Sequence, residues 1–178
     1  MDYDCSCWGG VIMYEIKNNF LNGEDFQKLS QHMQSPNMTW SYQPETTKGA
    51  GDEPFFSHIF YQDMKPCSYL YDQAIHHILT QMGAGLVYNV RGNLYYGTGK
   101  QEKSSRHIDV EYDGTIGKTS ILYINTNNGG TKFEDGTFVN SVSNRMVTFD
   151  CSIKHAPVSC TDRDRRIVVN INYSKLKK

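Results

Sequence analysis

No apolar run in this chain comes near the ~20 consecutive residues that a membrane-spanning helix needs, and no internal repeat, low-complexity tract or linker divides it. Charge of one sign is missing too. A formal net charge of -1 gives no overall basic field to hold nucleic acid, which leaves only local patches for that task. The five cysteines, Cys5, Cys7, Cys67, Cys151 and Cys160, do not make an even set. The opening Met1-Asp2-Tyr3-Asp4 is acidic and polar, unlike a secretory signal. Free thiols in a reducing cytoplasm are therefore expected. Cys5 and Cys7 sit too close together for a zinc knuckle and have no partner pair, so they read as unpaired thiols of an N-terminal arm.

What is present is ordinary globular chemistry: 178 residues, 38% hydrophobic and 21% charged, enough chain for one domain with a sizeable core. Residues 1–10 read as an arm, 11–85 as a helical support region and 86–178 as a β core. A first strand is expected at 11–16. Asn22 can cap a helix over 23–33, with Phe26, Leu29 and Met33 on one face. Residues 46–54 are polar and Gly-rich and make a candidate substrate lid. Pro66 suits the first turn of a second helix, whose apolar positions Leu70, Ala74, Ile78 and Met82 recur every four residues before Gly83 ends it. From residue 86 the pattern changes to Val-, Ile-, Thr- and Tyr-rich strands at 86–96, 118–125, 131–133, 137–142, 146–150 and 167–173. Two helices followed by a run of strands predicts a mainly β, α+β domain, with the helices on one face of a sheet that curls into a barrel or sandwich.

The residues with chemistry are few. His107 and Asp109 lie one residue apart in an extended segment, so both side chains face the same way. His155 follows the strand at 146–150, and a folded-back sheet would bring it to the same point. Two imidazoles and a carboxylate make the facial triad that holds iron(II) and leaves three positions open. A histidine capped by a neighbouring aspartate is the plainer use of the same residues. On the last strand Arg166, Val168, Asn170 and Asn172 share one face. An arginine entering a barrel there needs an anion, because an unpaired buried charge is costly. Arg165 is the rival for that place, and a solvated turn of Arg163, Arg165 and Arg166 with Asp162 and Asp164 is the alternative to both.

From about Asn93 to Tyr173 the chain resembles the 2-oxoglutarate- and iron(II)-dependent dioxygenases, in their prolyl-hydroxylase-like branch with small phage and marine-virus relatives. The residues that carry the resemblance are His107-Ile108-Asp109, Ile121-Leu122-Tyr123-Ile124-Asn125, Gly129-Gly130-Thr131-Lys132-Phe133, Asn144 to Phe149, His155, and Arg166 before Ile167-Val168-Val169. The resemblance implies a double-stranded β-helix (a cupin-like jelly roll) with N-terminal helices packed on one sheet. It implies iron bound by His107, Asp109 and His155, and 2-oxoglutarate held at its far carboxylate by Arg166 and Tyr123. Asn93-Leu94-Tyr95 looks like an Asn-x-Tyr that touches the cosubstrate, with Tyr96 as the alternative and a core tyrosine as the plain one.

The activity implied is hydroxylation of a C–H bond, foremost in a prolyl or other residue of a peptide or protein. Dioxygen is consumed, succinate and carbon dioxide are released, and ascorbate is a candidate reductant. If the chain is viral, the compartment is the host cytoplasm. Oxidation of a nucleobase or small metabolite is the second reading. Nucleic-acid repair is disfavoured, because residues 170–173 hold no second arginine. A jelly-roll binding module without catalysis is the third, and zinc hydrolysis gives Arg166 and Tyr123 no task. Candidate substrate contacts are the loops 46–54 and 97–104, with Arg106, Tyr112 and Asp113 flanking the triad.

Overall fold

The computed structural model describes residues 3–8, 11–46, 49–101, 103–109 and 117–175, with backbone alone for 3–8 and 11–13. The first half holds strands β1 (Tyr3–Trp8), β2 (Val11–Lys17), β3 (Ser41–Gln43), β4 (Phe55–Gln62) and β5 (Lys65–Pro66), with helices α1 (Gly23–Gln34) and α2 (His76–Met82). The second half holds β6 (Ala84–Tyr96), β7 (Gly117–Tyr123), β8 (Gly130–Phe133), β9 (Phe138–Asn140), β10 (Met146–Asp150), β11 (His155–Val158) and β12 (Arg165–Lys175).

Two antiparallel sheets result. The large one runs β1-β2-β10-β7-β12-β6-β4-β3, with β5 on β4; the small one runs β11-β8-β9. Bridges Lys103↔Val158 and His107↔His155 lay residues 103–107 along the open edge of β11. From β7 onward the chain crosses repeatedly between the sheets, from β7 to the β8-β9 hairpin, back to β10, over to β11 and back to β12, and these crossings make the fold jelly-roll-like.

The side-chain period of two explains how one strand serves two cores. On β12, Ile167, Val169 and Ile171 join Val90, Leu94 and Leu122 in a cluster with Leu29 and Met33 of α1 and Ile78 and Leu79 of α2. Val168, pointing the other way, joins Ile121, Tyr123, Val147, Phe149, Phe133 and Val139 between the two sheets. Both faces of β12 are covered, so nearly its whole length is buried. Gly92 keeps the first interface close: a Cβ there would come within 2.8 Å of the Met33 methyl.

Local signals account for α1. The Asn22 side chain accepts from the Asp25 N–H at 3.0 Å, and Glu24 and Asp25 in the first turn complement the helix dipole. At Pro66 the expectation fails. Asp63 and Met64 both take positive φ, turning the chain back so that Lys65–Pro66 pairs with β4 as an exposed edge. A two-residue edge tolerates the missing N–H. The second helix starts later, as a π-helical turn over Tyr71–Ile75 that runs into α2 and ends at left-handed Gly83. The N-terminal stretch read as an arm contains β1, paired with β2, and the region read as helical support contributes β2 to β5 as well.

Leu29 is 1% exposed beneath the sheet. Leu29→Ala should lower unfolding free energy by about 2–5 kcal/mol. Denaturant midpoints check this, and a loss under about 1 kcal/mol would mean α1 is not anchored to the core as described.

Candidate metal centre

His107 and His155 sit directly opposite each other. Each donates its backbone N–H to the other's carbonyl, at 2.9 and 3.0 Å. Opposed residues of an antiparallel pair present their side chains to one face, and the ring centroids are 4.8 Å apart. Asp109 follows two residues after His107. Its Oδ1 is 3.6 Å from His107 Nε2 and its Oδ2 is 3.6 Å from His155 Nε2. One donor atom from each residue falls within 4.8 Å of the others. These gaps are too long for hydrogen bonds. They are near the ~3 Å that separates neighbouring ligands on a six-coordinate ion with bonds of about 2.1 Å.

The backbone fixes which imidazole nitrogen is available. His155 Nδ1 lies 3.1 Å from the Ile153 carbonyl and His107 Nδ1 lies 3.3 Å from that of Ser105. A carbonyl only accepts, so each Nδ1 carries the proton and each Nε2 keeps its lone pair for a metal. The Asp109 side chain is fully buried. Its Oδ2 accepts from Asn170 Nδ2 at 3.2 Å, Asn170 Oδ1 accepts from Asn172 Nδ2 at 3.1 Å, and Asn172 Oδ1 accepts from Thr119 at 2.9 Å. Asp109 Oδ1 has no hydrogen-bond partner among the described residues. A carboxylate between two imidazole lone pairs, with one oxygen orphaned, fits a divalent cation, and iron(II) suits such N,N,O donors.

Charge follows the same logic. Burial pushes the Asp109 carboxyl up, but the approach of His107 and the charges of His155, Arg91 and His107 hold it well below the usual carboxylate range. Burial pulls His107 down, yet contact with Asp109 and the Ser105 carbonyl prevails and raises it. His155 goes the other way, lowered by burial and by the charges of His107 and Arg166 against the pull of Asp109.

Arg166 lines the same cavity as His107 and His155. It is 1% exposed, and its Nε and Nη1 have no partner among the described residues. Its Nη2 donates weakly to Thr131 Oγ1 at 3.4 Å, and its Cζ lies 5.1 Å from the Tyr95 ring centre and 5.5 Å from that of Tyr123. Cation–π contact offsets part of the desolvation. The unused donors still call for an anion. Tyr123 donates to Thr131 Oγ1 at 2.7 Å, and Asn93 Nδ2 donates to Tyr95 Oη at 3.3 Å. Burial raises both phenols, with Arg166 opposing, so they remain neutral donors.

The rival residues fall outside the cavity. Arg165 is exposed and donates to the Gln34 carbonyl, and Tyr96 lies on the outer face against Phe56. Arg106 is exposed beside His107. Tyr112 and Asp113 lie outside the described residues. The 46–54 segment reaches the site: Thr46 lines the cavity, and Asp52 Oδ1 accepts the Ser105 N–H at 2.6 Å. Thr131, Asn170 and Arg91 were not among the expected site residues. For Asn170 and Arg91 the available signal was strand parity, since Asn170 shares a face with Arg166 and Arg91 shares one with Asn93 and Tyr95.

Metal binding needs both imidazoles neutral. The raised His107 holds its proton to higher pH than an ordinary imidazole, whereas the lowered His155 gives its proton up more readily. Affinity for manganese(II) or iron(II) should therefore fall on acidification, by about tenfold per pH unit once His107 is protonated. Calorimetric titrations between pH 8 and pH 5.5 check this. A pH-independent Kd would place the ion elsewhere.

No family model and no curated protein sequence matches the chain. Solved structures do. A Pseudomonas putida prolyl-4-hydroxylase is 14% identical with a TM-score of 0.62, over 92% of this chain and 93% of that one. A Trichoplax adhaerens prolyl hydroxylase, solved with a hypoxia-inducible-factor peptide, is 14% identical with a TM-score of 0.61, over 90% and 83%. The non-haem, alpha-ketoglutarate-dependent epimerase SnoN of nogalamycin biosynthesis is 10% identical with a TM-score of 0.65, over 91% and 78%. The chain thus has the fold of the 2-oxoglutarate- and iron(II)-dependent oxygenases, including that of their prolyl-hydroxylase branch.

Proposed function

We propose that this chain is a 2-oxoglutarate-dependent non-haem iron dioxygenase that hydroxylates a C–H bond. The observation that carries the reading is a buried carboxylate with one orphaned oxygen, set against two imidazoles, next to a buried guanidinium that lines the same cavity as both imidazoles and has no counter-ion among the described residues. A divalent metal answers the first and the far carboxylate of a dicarboxylate answers the second. A zinc hydrolase would use only the first.

His107, Asp109 and His155 would hold iron(II). Bound there with 2-oxoglutarate and dioxygen, iron supplies oxidative decarboxylation to succinate and carbon dioxide together with oxidation of the substrate. The chain's own residues bind and orient. Arg166 would take the far carboxylate, assisted by the Thr131 hydroxyl, whose oxygen already accepts from Tyr123. Tyr95 and Asn93 would wall the cosubstrate between the two ends. Asn170 leaves Asp109 Oδ1 free for the metal by occupying Oδ2. The apolar wall of Ile121, Pro157 and Val168 would exclude water from the reacting centre. For substrate, a prolyl or other residue of a peptide is the leading reading, supported by the two prolyl hydroxylase neighbours, one solved with a peptide. The SnoN neighbour supports a small metabolite as the second.

Succinate release from 2-oxoglutarate with iron(II) and ascorbate tests the reading. His107→Ala and Asp109→Ala should abolish release while the fold persists by circular dichroism; release near the wild-type rate in either would overturn the assignment. Arg166→Ala should raise the 2-oxoglutarate requirement by about 10- to 100-fold with little loss of kcat at saturation. An unchanged KM would remove Arg166 from the cosubstrate.

A further inference from the structure

One arginine suffices for a cosubstrate with one free carboxylate, yet the cavity holds two. Arg91 stands on β6 directly opposite Asn170 of β12, the residue that donates to Asp109. It shares its face of the strand with Asn93 and Tyr95 and lines the cavity together with His107 and His155. Its Nε is buried without a hydrogen-bond partner, and among the described residues no carboxylate pairs with it within 4 Å.

Register separates the two guanidiniums: Arg166 pairs with Tyr95, whereas Arg91 pairs with Asn170, four residues further along β12. The charge of Arg166 acts on Tyr95, Tyr123 and His155, whereas that of Arg91 acts on Asp109, His107 and Tyr95. Arg91 therefore belongs to the metal end of the cavity, away from the Arg166–Thr131–Tyr123 cluster. A divalent ion and a dicarboxylate cancel each other's charge. Among the described residues around the site, Asp109 then cancels one guanidinium, and the other is left over. A half-buried guanidinium whose Nε is shut off from water and unpaired is stabilised when a further anion arrives.

We propose that Arg91 is a specificity-determining residue that binds an anionic group, carboxylate or phosphate, on the substrate oxidised at this centre. The inference rests on the function proposed above. It narrows the substrate to acids: a free amino or N-acyl amino acid, an acidic residue or chain end of a peptide, or a phosphorylated metabolite. A neutral, internal prolyl segment would leave the Arg91 charge unanswered.

Calorimetry on the full chain tests this without turnover. The protein is loaded with manganese(II) and saturating 2-oxoglutarate under anaerobic conditions. It is then titrated with matched pairs: N-acetyl amino acids against their primary amides, and nucleoside monophosphates against nucleosides. In the wild type at least one acid should bind about tenfold or more tightly than its neutral partner. Arg91→Gln should bring the pair to within about twofold, Arg91→Lys should retain part of the preference, and neither should change the 2-oxoglutarate Kd by more than about threefold. Three results would overturn the proposal. Acids and their neutral partners bind alike in the wild type, a comparison that needs no variant to fold; the preference survives in Arg91→Gln; or Arg91→Gln weakens 2-oxoglutarate about tenfold, which would assign the residue to the cosubstrate's near carboxylate. Failure of the manganese(II) protein to bind 2-oxoglutarate at all is a separate result, seen before any acid is added. It sinks the reading of the site as a whole, and this proposal with it.

Discussion

The site depends on one backbone contact, the reciprocal hydrogen-bonded pairing of His107 with His155. That pairing fixes three things together. It aims both imidazoles at one point, it brings Asp109 to that point two residues later, and it closes residues 103–107 onto the edge of the small sheet. The Ser105 and Ile153 carbonyls, each two residues before its histidine, then set the tautomers. Shifting either strand by one residue would turn a histidine away and leave the carboxylate buried with nothing to answer it.

The large sheet supplies the rest by parity. β12 sends Ile167, Val169 and Ile171 to the helices and sends Arg166, Val168 and Asn170 between the sheets. The apolar face anchors the strand, and the anchored strand holds a cation and an amide donor where solvent does not reach them. Desolvation is what gives these groups their pull. In water, the Arg166 guanidinium and the Asp109 carboxylate would be satisfied by hydration. In the cavity each is left short of partners, and the shortage defines what can bind. The stability spent on holding two such groups unpaired is recovered when ligands arrive, so metal and dicarboxylate should also stabilise the fold.

Much of this was legible in the chain. The His107-x-Asp109 spacing with a distant histidine is local chemistry, visible without coordinates, and the Asn22 cap and Gly83 stop placed helix ends from single residues. Arg166 was legible only as one of two neighbours, because alternation says that one of the pair points inward without saying which. Register decided it, pairing Arg166 with Tyr95 and Arg165 with Tyr96. Thr131, Asn170 and Arg91 take their meaning from strands remote in sequence, which no short-range pattern encodes. Pro66 misled for the opposite reason: a local preference for a helix start was overridden by the turn at Asp63-Met64 and by pairing with β4.

The central claim is that one cavity holds a metal at His107, Asp109 and His155 and the far end of a dicarboxylate at Arg166. A crystal structure of the protein grown anaerobically with manganese(II) and 2-oxoglutarate tests it most directly. The account predicts an ion bonded to both Nε2 atoms and to Asp109 Oδ1, chelated by the cosubstrate, with the far carboxylate on Arg166 and Thr131. An ion bound elsewhere, or a dicarboxylate whose far end avoids Arg166, would contradict it.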